Sequence, residues 1–167
     1  MGAIRQSWPL VYHELAARGQ ASRASCAAAV GTLAVETAST FRPVREAYWV
    51  YDKDPAAAFR YYADTTKHAA YAGGPQFHGR GFIQTTHRYN YEAVLGPAPE
   101  GFDAQMEWAD QLMQPGPAAA AFAHYWAGRD IQAMADRRDW RAVRRAVQGG
   151  SDGLDRLILI ADALLAL

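Results

Sequence analysis

Phe77-His78-Gly79-Arg80-Gly81-Phe82-Ile83-Gln84-Thr85-Thr86-His87-Arg88-Tyr89-Asn90-Tyr91 is the stretch on which the reading of this 167-residue chain turns. Two glycines flank an arginine, and a short extended run then passes into a helix. Side chains alternate along an extended run, so Gln84 and Thr86 share one face and Ile83 and Thr85 the other. With a helix starting at about Thr86, Asn90 falls one turn later on the same side. The expectation is a convergence of amide, hydroxyl and amide, which suits a sugar ring or a positioned water. The adjacent glycines let a ligand approach the backbone closely. A plain strand-to-helix connection with polar caps has the same spacing, so the pattern by itself leaves both readings open.

Outward from this stretch, helical spacing dominates and strand alternation is scarce, which predicts a mainly α protein. At this length the chain reads as a single domain, 1–167. A first helix is expected from about Ser7 to Arg18, with Trp8, Val11, Tyr12 and Leu15 on its apolar side. A second is expected from about Ser22 to Ala38, with a buried stripe of Cys26, Val30, Leu33 and Thr37. Glu36 lies on the flank of that stripe, about 60° from Leu33, and in the last turn, where the helix dipole disfavours a negative charge. Dipole and partial burial both predict a raised pKa, as a general acid near neutral pH requires. The plainer alternative is a boundary glutamate paired with Arg42 or Arg45. Further helices are expected from Asp54-Pro55 to about Asp64, after the central stretch to Leu95, and from Asp103 to about Met113. Gln114-Pro115-Gly116-Pro117 reads as a break before the alanine-rich core helix 118–127. Short helices 131–135 and 140–147 and a last one from about Asp152 to Leu167 complete the series. Thr40 to Lys53 and Thr65 to His78 read as loops.

Composition narrows the function classes. Seventeen basic residues balance 17 acidic ones, so no strong field invites nucleic acid or an anionic membrane. Arg141, Arg144 and Arg145 cluster, but Asp136, Asp139 and Asp152 nearby favour a solvated face over a docking patch for an anionic polymer. No apolar run is long enough to span a membrane. The histidines at 13, 68, 78, 87 and 124 form no metal-ligand spacing, so no metal and no cofactor are expected. The one cysteine, Cys26, excludes an internal disulfide and reads as a buried, inert thiol. The first twenty residues lack a signal-peptide layout, which points to synthesis in the cytoplasm.

Gly79-Arg80-Gly81-Phe82-Ile83-Gln84-Thr85-Thr86, followed by Asn90-Tyr91, resembles the signature segment of family 19 glycoside hydrolases. That family includes plant-type chitinases and lysozyme-like endolysins of bacteriophages. Ala34-Val35-Glu36-Thr37-Ala38 is similar to the segment carrying the family's catalytic acid. Val147-Gln148-Gly149-Gly150, with Leu154 and Arg156, is similar to its C-terminal motif. The matches run from about residue 30 to residue 156. The resemblance implies a lysozyme-like helical domain with a substrate cleft, and an inverting reaction with Glu36 as the acid. Inversion needs a second carboxylate about 6.5–9.5 Å away to activate water. Glu46 is the best candidate, with Asp52 and Asp54 as fallbacks and a solvated loop acid as the plain reading. The resemblance further gives Thr86 the attacking water, Gln84 and Asn90 the sugar hydroxyls or N-acetyl groups, and Arg156 the tuning of the carboxylates. Tyr48, with Trp49 and Tyr51, either stacks on sugars or covers the core. Gln148 stands where the family has asparagine, which changes the reach of that amide.

The resulting expectation is a monomeric endolysin that cuts β-1,4 links of peptidoglycan, without a signal peptide, and acts on the cell wall after release. A chitinase of the same fold, a non-catalytic wall-binding module and, more distantly, a helical nucleic-acid binder are the alternatives.

Overall fold

A computed structural model describes residues 2–64 and 70–167. The protein is mainly α-helical. Ten α-helices carry the described chain: α1 (Ala3–Ala17), α2 (Arg23–Glu36), α3 (Tyr48–Tyr51), α4 (Pro55–Ala63), α5 (Arg88–Leu95), α6 (Phe102–Ala109), α7 (Pro115–Gly128), α8 (Ile131–Asp136), α9 (Trp140–Gln148) and α10 (Leu154–Leu165). Among the described residues no strand forms, and one isolated antiparallel bridge joins Arg80 to Thr85. Part of the expected 65–78 loop, residues 65–69 with His68, lies outside the described residues. Its end is a short 3-10 turn, Pro75–Phe77. The chain divides into two compact units: a helical unit of Met1–Arg42 with Phe122–Leu167, and a motif unit of Pro43–Ala121.

In the helical unit, α2 packs on α8, α9 and α10. Ser22 caps it, its hydroxyl accepting from the Ser25 N–H at 3.1 Å. The expected stripe is corrected: Cys26 and Val30 are only half-buried, while Ala27, Ala28, Ala29, Gly31 and Ala34 are buried with Leu33. Small side chains bring the backbones together, so burial here follows smallness rather than bulk. A Cβ on Gly31 would come within 3.1 Å of the Leu157 carbonyl oxygen on α10. On α1 the buried positions are Ser7, Val11 and Leu15, four residues apart, whereas Tyr12 is exposed. Ser7 Oγ donates to Phe41 O at 2.7 Å and so ties the segment after α2 back to α1. Pro115 and Pro117 start α7 rather than breaking the chain ahead of it, because proline suits a first helical turn whose N–H groups have no partner. Trp126 is fully buried, stacks on Phe122 at 5.1 Å, and donates its indole N–H to Ser25 Oγ at 2.9 Å.

The motif unit has less helix and two apolar clusters. Phe77, Tyr91, Ala109, Leu112 and Ala121 form one. Ala47, Ala58 and Tyr62 form the other, joined by Val50, Phe59 and Tyr71. Asp54 caps α4, accepting from the Ala56 N–H at 3.0 Å, with Pro55 at the first helical position.

Candidate active site

The central stretch is a clasp rather than an extended run. Thr85 N–H donates to Arg80 O at 2.8 Å and Arg80 N–H to Thr85 O at 3.2 Å, closing a turn over residues 81–84. Gly81 takes φ 89° and Gln84 φ 51°. Phe82 and Ile83 are buried at the tip. With no extended run, the expected alternation of Gln84 and Thr86 does not occur, and the helix begins at Arg88 rather than Thr86. Asn90 Nδ2 donates to Thr86 O at 2.8 Å, and Gln84 Nε2 donates to Val44 O at 2.9 Å. Both amides thus spend their nitrogen on the backbone, and Thr86 is half-buried.

The chain 44–46 runs alongside the clasp. Val44 N–H donates to Gly81 O at 3.0 Å and Glu46 N–H to Gly79 O at 2.8 Å. The Gly79 N–H returns a bond to Glu46 Oε2 at 2.8 Å, and Tyr71 O–H donates to Glu46 Oε1 at 2.6 Å. A Cβ on Gly79 would meet Gln84 Oε1 at 2.6 Å and Glu46 Oε2 at 3.0 Å, so a larger residue here would push the ends of both side chains aside. Tyr62 O–H also donates to the Glu46 carbonyl, at 2.5 Å. Glu46 is therefore a held, half-buried carboxylate, which is more than a solvated loop acid.

Beneath this segment lies a buried polar core. Arg80, fully buried, donates through Nε to Asp110 Oδ1 at 2.7 Å and through one terminal nitrogen to Gln76 O at 2.8 Å and Tyr91 Oη at 3.0 Å. Arg45 donates to the other oxygen of Asp110 at 2.8 Å and lies 4.1 Å over the Tyr51 ring. His78 lies 3.1 Å from an Arg45 nitrogen through Nε2 and 2.9 Å from Pro75 O through Nδ1. A guanidinium can only donate, so Nε2 is the acceptor and Nδ1 carries the hydrogen. Burial, and then the charge of Arg80, push the His78 pKa down to about 2, which keeps the ring neutral. The same ring stacks on Tyr62 at 3.8 Å. Burial and the proximity of Glu46 hold the Tyr62 phenol above its ordinary range, so it remains a donor. Tyr91 is pushed up to about 12, mainly by burial.

In the helical unit, Glu36 is the last residue of α2 and pairs with Arg144 of α9, not with Arg42 or Arg45. The Arg144 side chain is 4% exposed and also donates to the Asp152 carbonyl. Arg144 therefore leaves the solvated arginine face expected at 141–145, while Arg141 and Arg145 remain exposed. Tyr125 Oη lies 2.9 Å from the carbonyl oxygens of both Ala146 and Val147, where α9 runs out of its own partners. Arg156 donates to the side-chain hydroxyl of Ser39, and the guanidinium on Glu36 is that of Arg144. Gln148 is exposed, its Nε2 3.5 Å from Asp152 Oδ2.

Left-handed backbone at non-glycine residues occurs beside these positions, as well as at Asp130 and Arg138 around α8. Ala38, Ser39 and Phe41 after Glu36, Ala47 after Glu46, and Gln84 and His87 on either side of Thr86 all have positive φ without being glycine. Each such residue costs on the order of 1–2 kcal/mol and persists only where its surroundings enforce it. Tyr48 and Trp49 are exposed and meet edge to face at 5.5 Å, whereas Tyr51 serves Arg45. Among the described residues no cluster of three metal-ligating side chains occurs, and no helix is long and apolar enough to cross a membrane.

Sequence reasoning missed Tyr71, Arg144 and the Arg45–Asp110–Arg80 fork. Their partners are 25 to 108 residues away, beyond any local spacing rule. No protein-family model, no curated protein and no solved structure matches the chain.

Proposed function

We propose that the protein is an inverting glycoside hydrolase of the endolysin type, an N-acetylmuramidase cutting β-1,4 links of peptidoglycan. The observation that carries this reading is the grip on Glu46: both its carboxylate oxygens are bonded, one of them by the backbone of Gly79, which opens the signature segment. A general base works best when its geometry is set before the water arrives. In this reading Glu36 protonates the glycosidic oxygen, and Glu46 takes the proton of a water attacking the anomeric carbon from the opposite side. The acid role needs a proton on Glu36, so the guanidinium of Arg144 has to give way as the sugar binds. Thr86 orients the water. Gln84 and Asn90 present their amide oxygens to acetamido N–H groups, since their nitrogens already serve the backbone. Tyr48 offers an exposed ring to a sugar face. Arg156 holds the strained segment after Glu36 through Ser39, an indirect part in tuning the acid.

The test is product analysis on purified peptidoglycan. New reducing-end N-acetylmuramic acid, lost in both Glu36→Gln and Glu46→Gln while polymer binding persists, is the expected result. Cleavage of chitin oligomers alone would move the substrate to chitin. Intact peptidoglycan and intact chitin oligomers would end the hydrolase reading and leave a wall-binding module.

A further inference from the structure

We propose that Tyr71 is a positioning residue for Glu46, setting the rotation of its carboxyl group and therefore which lone pair meets the attacking water. This rests on the hydrolase reading above. A carboxylate has about four acceptor sites on its two oxygens. Gly79 N–H and Tyr71 O–H use one on each, at 2.8 and 2.6 Å, and leave capacity for a water proton. The backbone donor fixes Oε2. The phenol fixes Oε1, and the two together allow the carboxyl plane one orientation.

Tyr71 is itself held by the end of the central stretch. Ala72 N–H donates to His87 Nδ1 at 3.0 Å, and Arg88 N–H donates to Ala72 O at 2.8 Å. The Tyr71 ring stands edge-on to Tyr62 at 6.5 Å and tilted to His87 at 6.3 Å. Burial, with the bond to Glu46, pushes the phenol above its ordinary range, so the donor keeps its hydrogen across the working pH range. A tyrosine needed only for packing would have no reason to aim its hydroxyl at a carboxylate already bonded by a backbone N–H.

The experiment measures kcat and KM on peptidoglycan against pH for the wild type, Tyr71→Phe, Glu46→Gln and the double variant, alongside thermal unfolding. Phenylalanine keeps the ring contacts. The expected result is a kcat lower by about 10- to 100-fold with KM unchanged. The acid limb of the profile also moves to higher pH, because a donor to a carboxylate favours its charged form. Adding Tyr71→Phe to Glu46→Gln changes little further. Wild-type kcat and an unmoved acid limb in Tyr71→Phe would overturn the proposal, as would a loss confined to KM. If Tyr71→Phe unfolds early, 3-fluorotyrosine at 71 keeps the ring and strengthens the donor. The acid limb then moves to lower pH, and no movement overturns the assignment. A wild type without turnover removes the hydrolase reading itself, a failure seen before any variant is made.

Discussion

The helical unit brings α2 onto α10 through alanines and Gly31, so close that a methyl group there would crowd the Leu157 carbonyl. The motif unit instead buries two arginines on one aspartate and a neutral histidine on a tyrosine ring. The first kind of core is specified by shape, and one added methyl group is felt. The second is specified by pairing, and each member is costly once its partner is gone. The candidate base, Glu46, sits on the paired core, and the candidate acid, Glu36, ends a helix of the shape-packed one.

The sharpest way to break this contrast is Arg80→Ala. It removes the donor to one oxygen of Asp110, to the Gln76 and His78 carbonyls and to the Tyr91 hydroxyl, leaves Arg45 alone on Asp110, and should cost about 3–5 kcal/mol in denaturant unfolding. A loss under 1 kcal/mol would mean that the polar core is not the support it resembles.

Acid reads the same core through His78. Its folded pKa of about 2 lies below the unfolded value near 6.5, so its contribution is fully present above pH 6.5 and is lost as pH falls from there towards 2. The wild type should lose about 1.4 kcal/mol per pH unit from this residue in that window, about 3 kcal/mol over two units. A His78→Gln variant should show a correspondingly shallower slope in unfolding free energy. Parallel slopes would place the acid sensitivity elsewhere.

In the shape-packed unit the matching probe is Gly153→Ala. The position has φ 75°, and an added Cβ would overlap Val35 Cγ1 beside Glu36. A cost of about 2–3 kcal/mol is expected from strain and overpacking together. Melting temperature checks it, and an unchanged value would show that Val35 yields. The smallest effect is expected from Ser22→Ala, about 1 kcal/mol by the same measurement, since one capping bond at the start of α2 is lost.

The same contrast explains what could be read from the sequence. Helices with good caps and periodic faces are legible: Ser22 opens α2 and Asp54-Pro55 opens α4. Errors arose where small residues carried the packing, as at Cys26 and Val30. They arose again where the backbone bends at non-glycine residues, as at Gln84, whose positive φ turns an expected strand into a clasp. The clasp also redirects the amides of Gln84 and Asn90 to the backbone, which alternation could not foresee. Arg144 is grouped with its neighbours by sequence, yet on the helix it is buried while Arg141, three residues before, and Arg145, one after, are exposed. Tyr71 carried no signal at all, since its role depends on a carboxylate 25 residues earlier.

Cys26 gives this molecule a built-in clock. It is the chain's single thiol, half-buried on α2, ten residues before Glu36, and burial pushes its pKa up. A thiol reagent therefore reacts slowly with the closed helix and faster whenever α2 opens. The coupling rate in native buffer reports the openings of that helix without any engineered label. Any ligand that engaged Glu36, at the end of the same helix, would register as a change in the clock's rate.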